Sequence, residues 1–246
     1  MAESQPDQRV ENEPATPPPG TDGVVFEDVE YRLAVVDLLG VIAYGELSAF
    51  ERLVDDAKLA PTIRDKVEMS GMASLEFGHV ARLHDRIREL GGDPFDAMEP
   101  FEAPIDLFHV HTAPADWYEG LIKAFVGDGM ANDFYREIAA YLDPDTRDLV
   151  VASLDDEGHA AFVVDRVRAA IAADPRLGGR LALWGRRLMG EALTQAQRVA
   201  AERDALSALL AGGIDRPGLD LAAIGRMFIR ITERHAARME ELGLAS

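Results

Sequence analysis

Two short stretches of the sequence carry the same pattern of side chains that bind metals. SLEFGH and SLDDEGH each place a carboxylate three residues before a histidine, with a glycine directly before that histidine. Residues three apart lie on one face of an α-helix, so Glu76 with His79, and Asp156 with His159, can face a common site. Carboxylate oxygen and imidazole nitrogen suit iron or manganese.

A matched carboxylate precedes each pair on an earlier predicted helix. Glu46 follows Gly45 as Asp128 follows Gly127, so the chain reads as two copies of one helical hairpin. Four buried carboxylates would repel one another unless cations neutralised them. The pattern predicts a site for two divalent metals in the middle of a bundle. The predicted catalytic residues and metal ligands are the same six: Glu46, Glu76, His79, Asp128, Asp156 and His159.

Alternative explanations exist for each part of this pattern. With 44 Asp and Glu among 246 residues, a carboxylate three residues before a histidine arises by chance. A third instance, Asp106 with His109, lies in a proline-rich stretch and is interpreted as chance. A purely structural polar core is the alternative for the repeated set. Glycines placed directly before the ligands predict close helix approach or room beside the metals.

The periodicity of apolar residues, with glycine and proline between the segments, predicts the helices that must position these ligands. Six are expected, at about residues 31–58, 62–90, 115–142, 144–173, 175–211 and 219–242. The stretch between the second and third contains four prolines and is predicted to lack regular structure. A connection of that length can cross from one end of a four-helix bundle to the other. The predicted fold class is all-α: a ferritin-like four-helix bundle with one long crossover, plus two additional C-terminal helices.

The composition of the sequence limits which other kinds of structure and function are expected. Residues 1–25 are predicted to be a disordered, acidic, Pro-rich tail, and 26–246 a single helical domain with its bundle at 30–173 and C-terminal helices at 175–242. The absence of cysteine excludes thiolate metal sites and disulfides. A net charge of −19 argues against a broadly basic nucleic-acid surface. No signal peptide or membrane span is expected, which predicts a cytoplasmic protein.

At these residues the sequence resembles the ferritin-like di-iron carboxylate superfamily, whose ligand order is E…ExxH…E…ExxH. Ligand spacing and the added C-terminal helices are most similar to the MiaE-like tRNA-(ms2io6A)-hydroxylase family, over about residues 30–210. The resemblance implies two iron ions, held by one half-site of Glu46, Glu76 and His79 and another of Asp128, Asp156 and His159. The shorter Asp at two family Glu positions leaves manganese or a mixed pair open.

The resemblance also implies a function: an O2-dependent di-iron hydroxylase or monooxygenase acting on an isopentenyl-modified tRNA adenosine. An external reductase or ferredoxin would supply electrons. A basic stripe on the last helix favours tRNA, although the same arginines could pair with acids on neighbouring helices. The stripe consists of Arg226, Arg230, Arg234 and Arg238. The alternative functions are an iron-oxidising or iron-binding protein without a tRNA substrate, and a non-enzymatic helical protein that forms a homodimer.

Overall fold

A computed structural model describes residues 29–154, 159–211 and 221–244 of the chain. Every regular element in these ranges is helical, which confirms the all-α class. The predicted tail, Asp156 and Gly158 lie outside the described residues. The helices are α1 (Val29–Asp56, followed by a short 3-10 turn), α2 (Ile63–Glu89), α3 (Pro94–His111), α4 (Trp117–Ala139), α5 (Pro144–Ala152), α6 (His159–Ala173), α7 (Arg176–Glu202), α8 (Asp204–Ala211) and α9 (Leu221–Glu241).

The four-helix bundle is formed by α1, α2, α4 and the pair α5 and α6, with α7 and α9 packed against α4. Side-chain caps begin several helices. Thr62 accepts a hydrogen bond from the backbone N–H of Asp65 at the start of α2. Asp143 accepts one from the backbone N–H of Thr146 at the start of α5, with Pro144 in the first turn. These caps fix where the second helix of each hairpin starts.

Two apolar cores fill the two ends of the bundle. One joins the first half of α1 to the second half of α2 and to α3, around residues such as Leu38 and Ile87. The other joins the first half of α4 to α7 and α9, around residues such as Leu121 and Leu188. The burial of these side chains supplies most of the driving force that holds the helices in register. The middle of the bundle, between the two cores, is where the polar residues of the repeat lie.

The stretch predicted to lack regular structure is instead helix α3, so that prediction was wrong. Asp93 accepts hydrogen bonds from two backbone N–H groups at its start, and Pro94 fits the first turn. Pro100 and Pro104 lie inside the helix, where each removes one backbone hydrogen bond. Packing outweighs this loss, because Ala97, Met98, Phe101 and Pro104 are buried on one side of the helix. Tertiary contacts override the local signal of the prolines.

Gly40 allows α3 to lie directly on α1. A Cβ atom at Gly40 would sit 2.1 Å from the carbonyl oxygen of Ala97, which no real side chain tolerates. The two backbones therefore touch at this point, and α3 covers the N-terminal half of α1. The crossover between the hairpins is a packed helix, and it brings its own side chains to the bundle.

Two predicted helices are divided in the structure. The predicted fourth helix ends at Ala152 as α5 and resumes at His159 as α6, with Ser153 and Leu154 in a turn. The first of the two predicted C-terminal helices is divided at Arg203 into α7 and α8. Arg203 donates hydrogen bonds to both carboxylate oxygens of Asp37 on α1, which anchors the junction to the bundle.

One segment, Val29–Leu59, is long and apolar enough to cross a membrane by length and composition. The expectation of no membrane span is not contradicted by this, because the core helix of a folded domain meets the same criteria. Half of the segment's most apolar window is buried inside the fold, as in the core helix of a folded domain. Its fully buried Leu38, Leu39 and Ile42 pack in the first core. This apolar composition is weak support for a membrane span, and the cytoplasmic location stays a prediction.

Candidate metal centre

Three of the predicted ligands meet in the middle of the bundle. Glu46 comes from α1, and Glu76 and His79 come from consecutive turns of α2, which packs along α1. One potential ligand atom from each of the three lies within 4.8 Å of the others. Nδ1 of His79 lies 3.1 Å from Oε2 of Glu46, within hydrogen-bonding distance. Two carboxylates and an imidazole at this spacing can hold one divalent cation.

The electrostatics of Glu46 fit a cation. Glu46 is 7% exposed, and this burial raises the pKa of its carboxyl group to about 7. The hydrogen bond with Glu76 lowers the pKa, the charge of Asp128 raises it, and Arg82 lowers it. Two carboxyl groups that share a hydrogen bond must hold a proton between them. A divalent metal would replace that proton and neutralise both groups, so the residues present fit the predicted metal.

The second half-site is described only through Asp128. Asp128 lies on α4 and lines the same cavity of about 660 Å³ as Glu46, Glu76 and His79. It is not part of the three-residue group, although its charge acts on Glu46. Asp156 lies outside the described residues, and the side chain of His159, the first residue of α6, is likewise not described. The structure therefore assembles the first half-site and places one carboxylate of the second opposite it.

Two other acidic residues of α4 are already neutralised. Asp133 is 3% exposed and forms ion pairs with Arg238 and Arg234. Glu137 accepts a hydrogen bond from Arg230 Nε at 3.0 Å. Because Asp133 and Glu137 are used in these ion pairs, Asp128 stays the predicted metal ligand of α4.

The same ion pairs decide between the two interpretations of the arginine stripe. Arg230, Arg234 and Arg238 hold α9 against α4 through Glu137 and Asp133. Arg234 Nη1 lies 3.2 Å from Glu137 Oε1. The pairing explanation is thus correct for these three arginines, and their charge is used within the fold. The sequence could show the spacing of the stripe but not the acidic face opposite it.

The three described glycines that precede predicted ligands provide room and do not serve close helix approach. A Cβ at Gly78 or Gly127 would meet nothing within 4 Å. At Gly45 it would lie 3.4 Å from the hydroxyl of Tyr135, an ordinary contact. The nearby glycine that is sterically required is Gly129, where a Cβ would lie 2.3 Å from Nε of Arg238. Gly129 lets the Arg238 side chain pass over α4 to Asp133.

One end of the cavity carries a polar cluster that sequence reasoning missed. We call it the polar end of the cavity: Arg52, Asp56, His109 and Lys123, from α1, α3 and α4. Nζ of Lys123 donates a hydrogen bond to the carbonyl oxygen of Thr112 at 2.9 Å. His109 was interpreted as a chance match, and its place at the cavity follows from α3 being a helix. Lys123 gave a signal, since it interrupts an apolar run in the sequence.

Burial shifts the pKa values of three groups in the polar end of the cavity. It lowers the pKa of Lys123 to about 8, against the opposing charge of Asp56. It raises the pKa of Asp56 to about 6, which the charge of Lys123 counteracts. His109 is held neutral, because burial and the charges of Lys123 and Arg52 lower its pKa to about 3. At neutral pH the polar end therefore holds an ammonium–carboxylate pair beside a neutral imidazole.

Comparison with known proteins gives the family. No curated protein matches the chain. The family model described as ferritin-like domain, actinomycetes, matches residues 29–213, which span α1 to α8. The match supports the ferritin-like superfamily, and the narrower MiaE-like resemblance is not confirmed. The chain belongs to the ferritin-like domain family of actinomycetes.

Proposed function

We propose that this protein is an O2-dependent di-iron oxidoreductase, a hydroxylase or monooxygenase of the MiaE-like type. One metal position is held by Glu46, Glu76 and His79, and the second by Asp128 with Asp156 and His159. The observation that carries the proposal is the convergence of the first three residues beside a cavity of about 660 Å³. A cavity of that size accommodates a small organic substrate next to the metal.

The donor set determines the metal chemistry. Carboxylate and imidazole ligands without any thiolate suit iron and manganese, and the choice of iron comes from the resemblance to di-iron carboxylate proteins. Bound ferrous iron would supply the electrons that reduce O2. The protein's own part is to lose the proton shared by Glu46 and Glu76 as metal binds, and to hold the substrate in the cavity. Lys123, with its pKa lowered to about 8, is placed at the same cavity to donate a proton from Nζ.

Electrons must reach the metals from outside the chain. The sequence contains no cysteine for an iron–sulfur cluster. A separate reductase or ferredoxin is therefore part of the proposal. A basic donor protein would be attracted by the net charge of −19.

The tRNA substrate stays a prediction of the MiaE-like resemblance. Three arginines of the stripe that favoured it are ion-paired with α4, and the chain is strongly acidic. Binding of a phosphate backbone needs cations free to replace its counterions. The chemistry of hydroxylation therefore rests on the metal site alone, and tRNA is one substrate to test among others.

Oxygen consumption tests the proposed activity. Protein loaded anaerobically with ferrous iron and supplied with a chemical reductant should consume O2 in repeated turnovers. His79→Ala should abolish this consumption, because it removes the imidazole from the first half-site. His111→Ala is the matched control, since His111 is exposed and pairs with Glu191 away from the centre.

The result also separates the proposed activity from its alternative. O2 uptake that yields only oxidised iron and reduced oxygen, with no oxygen incorporated into an organic compound, indicates iron oxidation without an organic substrate. Uptake that is the same in wild type and His79→Ala contradicts both functions. Mass spectrometry of nucleosides after incubation with tRNA checks the finer prediction: a gain of one oxygen on the isopentenyl group supports it, and unmodified nucleosides refute it.

A further inference from the structure

A second, apolar cavity lies beside the metal cavity. Its volume is about 230 Å³, and α7, α8 and α9 close it against α1, α3 and α4. The two cavities share five lining residues, so they meet along one wall. These residues are Ile105, Phe108, Gly127, Ala131 and Tyr135. We call the second cavity the apolar pocket.

The lining of the apolar pocket defines the class of its ligand. Aliphatic and aromatic side chains such as Met130, Met189 and Phe228 form most of its surface. Among the described lining residues, the polar side chains are Gln195 and Tyr135, and none is charged. An ionised ligand would lose its hydration there without gaining an opposite charge. The pocket therefore suits an uncharged, mainly aliphatic molecule.

Gln195 is the feature of the pocket that packing does not explain. It is 9% exposed, and its Oε1 atom is buried without a hydrogen-bond partner in the described structure. A buried amide without a partner destabilises a fold, whereas leucine would fill the same space in an apolar wall without that cost. The amide can rotate to present either its oxygen or its nitrogen. A ligand with one polar group would provide the missing partner.

The wall between the two cavities is open at Gly127. A Cβ at this residue would meet nothing within 4 Å, and Gly127 directly precedes the proposed ligand Asp128. Tyr135 reaches the same wall, with its hydroxyl 3.4 Å from a Cβ built at Gly45, the neighbour of Glu46. Gln195 lines only the apolar pocket. A chain bound by its polar end at Gln195 would therefore direct its apolar end towards the metal centre.

We propose that the apolar pocket binds a medium-length aliphatic compound with one uncharged polar group, which pairs with Gln195. The size follows from a known comparison: a cavity of about 150 Å³ holds benzene, so this pocket accommodates about nine non-hydrogen atoms. A substrate role for this compound, oxidised near its apolar end, rests on the function proposed above. The binding itself does not depend on metal.

Binding of 1-octanol, which has nine non-hydrogen atoms, tests the pocket. Titration of the full, metal-free chain by calorimetry should show one saturable site, and octanoate should bind at least about tenfold more weakly. Gln195→Leu should weaken the binding of 1-octanol by about fivefold, because one hydrogen bond is lost. Gln197→Leu is the matched control, since Gln197 is exposed on the same helix and outside the pocket. It should bind like wild type.

Ala196→Phe provides a second variant that does not involve the amide. Ala196 lines the apolar pocket but not the metal cavity, and a phenyl ring there fills the space. Binding of 1-octanol should be lost, with the helical circular dichroism unchanged. Absence of saturable binding to wild type overturns the proposal. So does binding that is the same in wild type, Gln195→Leu and Ala196→Phe.

Orientation is tested with paramagnetic manganese. In Mn²⁺-loaded protein, the methyl protons of bound 1-octanol should relax faster than the protons next to its hydroxyl. The reverse order overturns the proposed direction of binding. Glu46→Gln protein should bind 1-octanol as wild type does, with a weaker manganese effect because less metal is bound. If wild type binds 1-octanol but not manganese, the proposed function fails and the proposed pocket stands. If wild type binds manganese but not 1-octanol, the proposed pocket fails and the proposed function stands.

Discussion

The two hairpins of the bundle carry matched carboxylates and histidines but have different surroundings. In the first, α1 and α2 are continuous where Glu46, Glu76 and His79 meet, and the three side chains lie beside one another. In the second, the partner of α4 is divided into α5 and α6, and α4 is clamped by arginines from α9. The arginines of α9 thus act on the second hairpin, whereas α8 and Arg203 contact α1 of the first. Duplicated residues keep the same chemistry only where their neighbours are also the same.

We call the ion pairs between the arginines of α9 and the acidic residues of α4 the arginine clamp. Its removal should have the largest effect on stability. Arg238→Ala would leave Asp133, which is 3% exposed, with only the longer contact to Arg234. Loss of one partner of a buried ion pair costs about 3 kcal/mol in the free energy of unfolding. Urea denaturation measures this change. The exposed pair Arg198–Glu202 is the control, and Arg198→Ala should cost less than about 0.5 kcal/mol.

A double substitution separates the clamp from simple packing. In Arg238→Met with Asp133→Leu, both charges are gone and much of the stability should return, since two apolar groups replace a buried pair. A double variant that is as unstable as Arg238→Ala would show that the ion pair is not what holds α9 on α4.

Two glycines, one from each hairpin, should respond to alanine in opposite ways. Gly129→Ala on α4 places a Cβ 2.3 Å from Nε of Arg238, so we expect a loss of about 1 kcal/mol. Gly78→Ala on α2 meets open space and should gain up to about 0.8 kcal/mol from helix propensity. Thermal and urea unfolding of the two variants measure these two changes in stability. Equal effects at both sites would remove this difference between the hairpins.

The pH dependence of stability should also differ in sign between the hairpins. In metal-free protein, burial raises the pKa of Glu46 to about 7. The folded state therefore holds this proton more tightly, and the stabilisation is lost as pH rises from about 4.5 to about 7. Glu137 is the opposite case: burial raises its pKa, but Arg230 and Arg234 lower it more. Its stabilisation is present above about pH 4.5 and is lost as pH falls.

Unfolding in urea between pH 4 and pH 8 measures how the free energy of unfolding changes with pH, and so tests both predictions. Glu46→Gln should remove the loss of stability towards neutral pH, and Glu137→Gln should remove the loss towards acid. In wild type, bound metal should make the free energy of unfolding rise with pH over this range, because bound cations favour the ionised carboxylate. A difference in stability between metal-free wild type and Glu46→Gln that does not change between pH 5 and pH 7 would contradict the environment assigned to Glu46.

The sequence predicted those features that local chemistry determines. The all-α class and the ends of α1 and α2 follow from the periodicity of apolar residues and from the breakers between the helices. The convergence of Glu46 with Glu76 and His79 follows from the repeat, because two matched hairpins place matched residues together.

Tertiary contacts determine the features that the sequence did not predict. Helix α3 depends on its contact with Gly40, and that contact is invisible locally because Pro100 and Pro104 argue against a helix. The polar end of the cavity could not be predicted once α3 was missed, since His109 comes from that helix. The partners of the arginine stripe depend on how α9 docks, which no local pattern specifies.

Metal stoichiometry tests the central claim most directly. Wild type, Glu46→Gln, Asp128→Asn and the exposed control Glu51→Gln are loaded anaerobically with ferrous iron, desalted, and analysed by mass spectrometry of the metal. The di-iron account predicts about two metals per chain in wild type and Glu51→Gln. It predicts about one in Asp128→Asn, whose first half-site is intact, and fewer than one in Glu46→Gln. Wild-type protein that retains no metal, or Glu46→Gln protein that retains as much as wild type, would contradict the account.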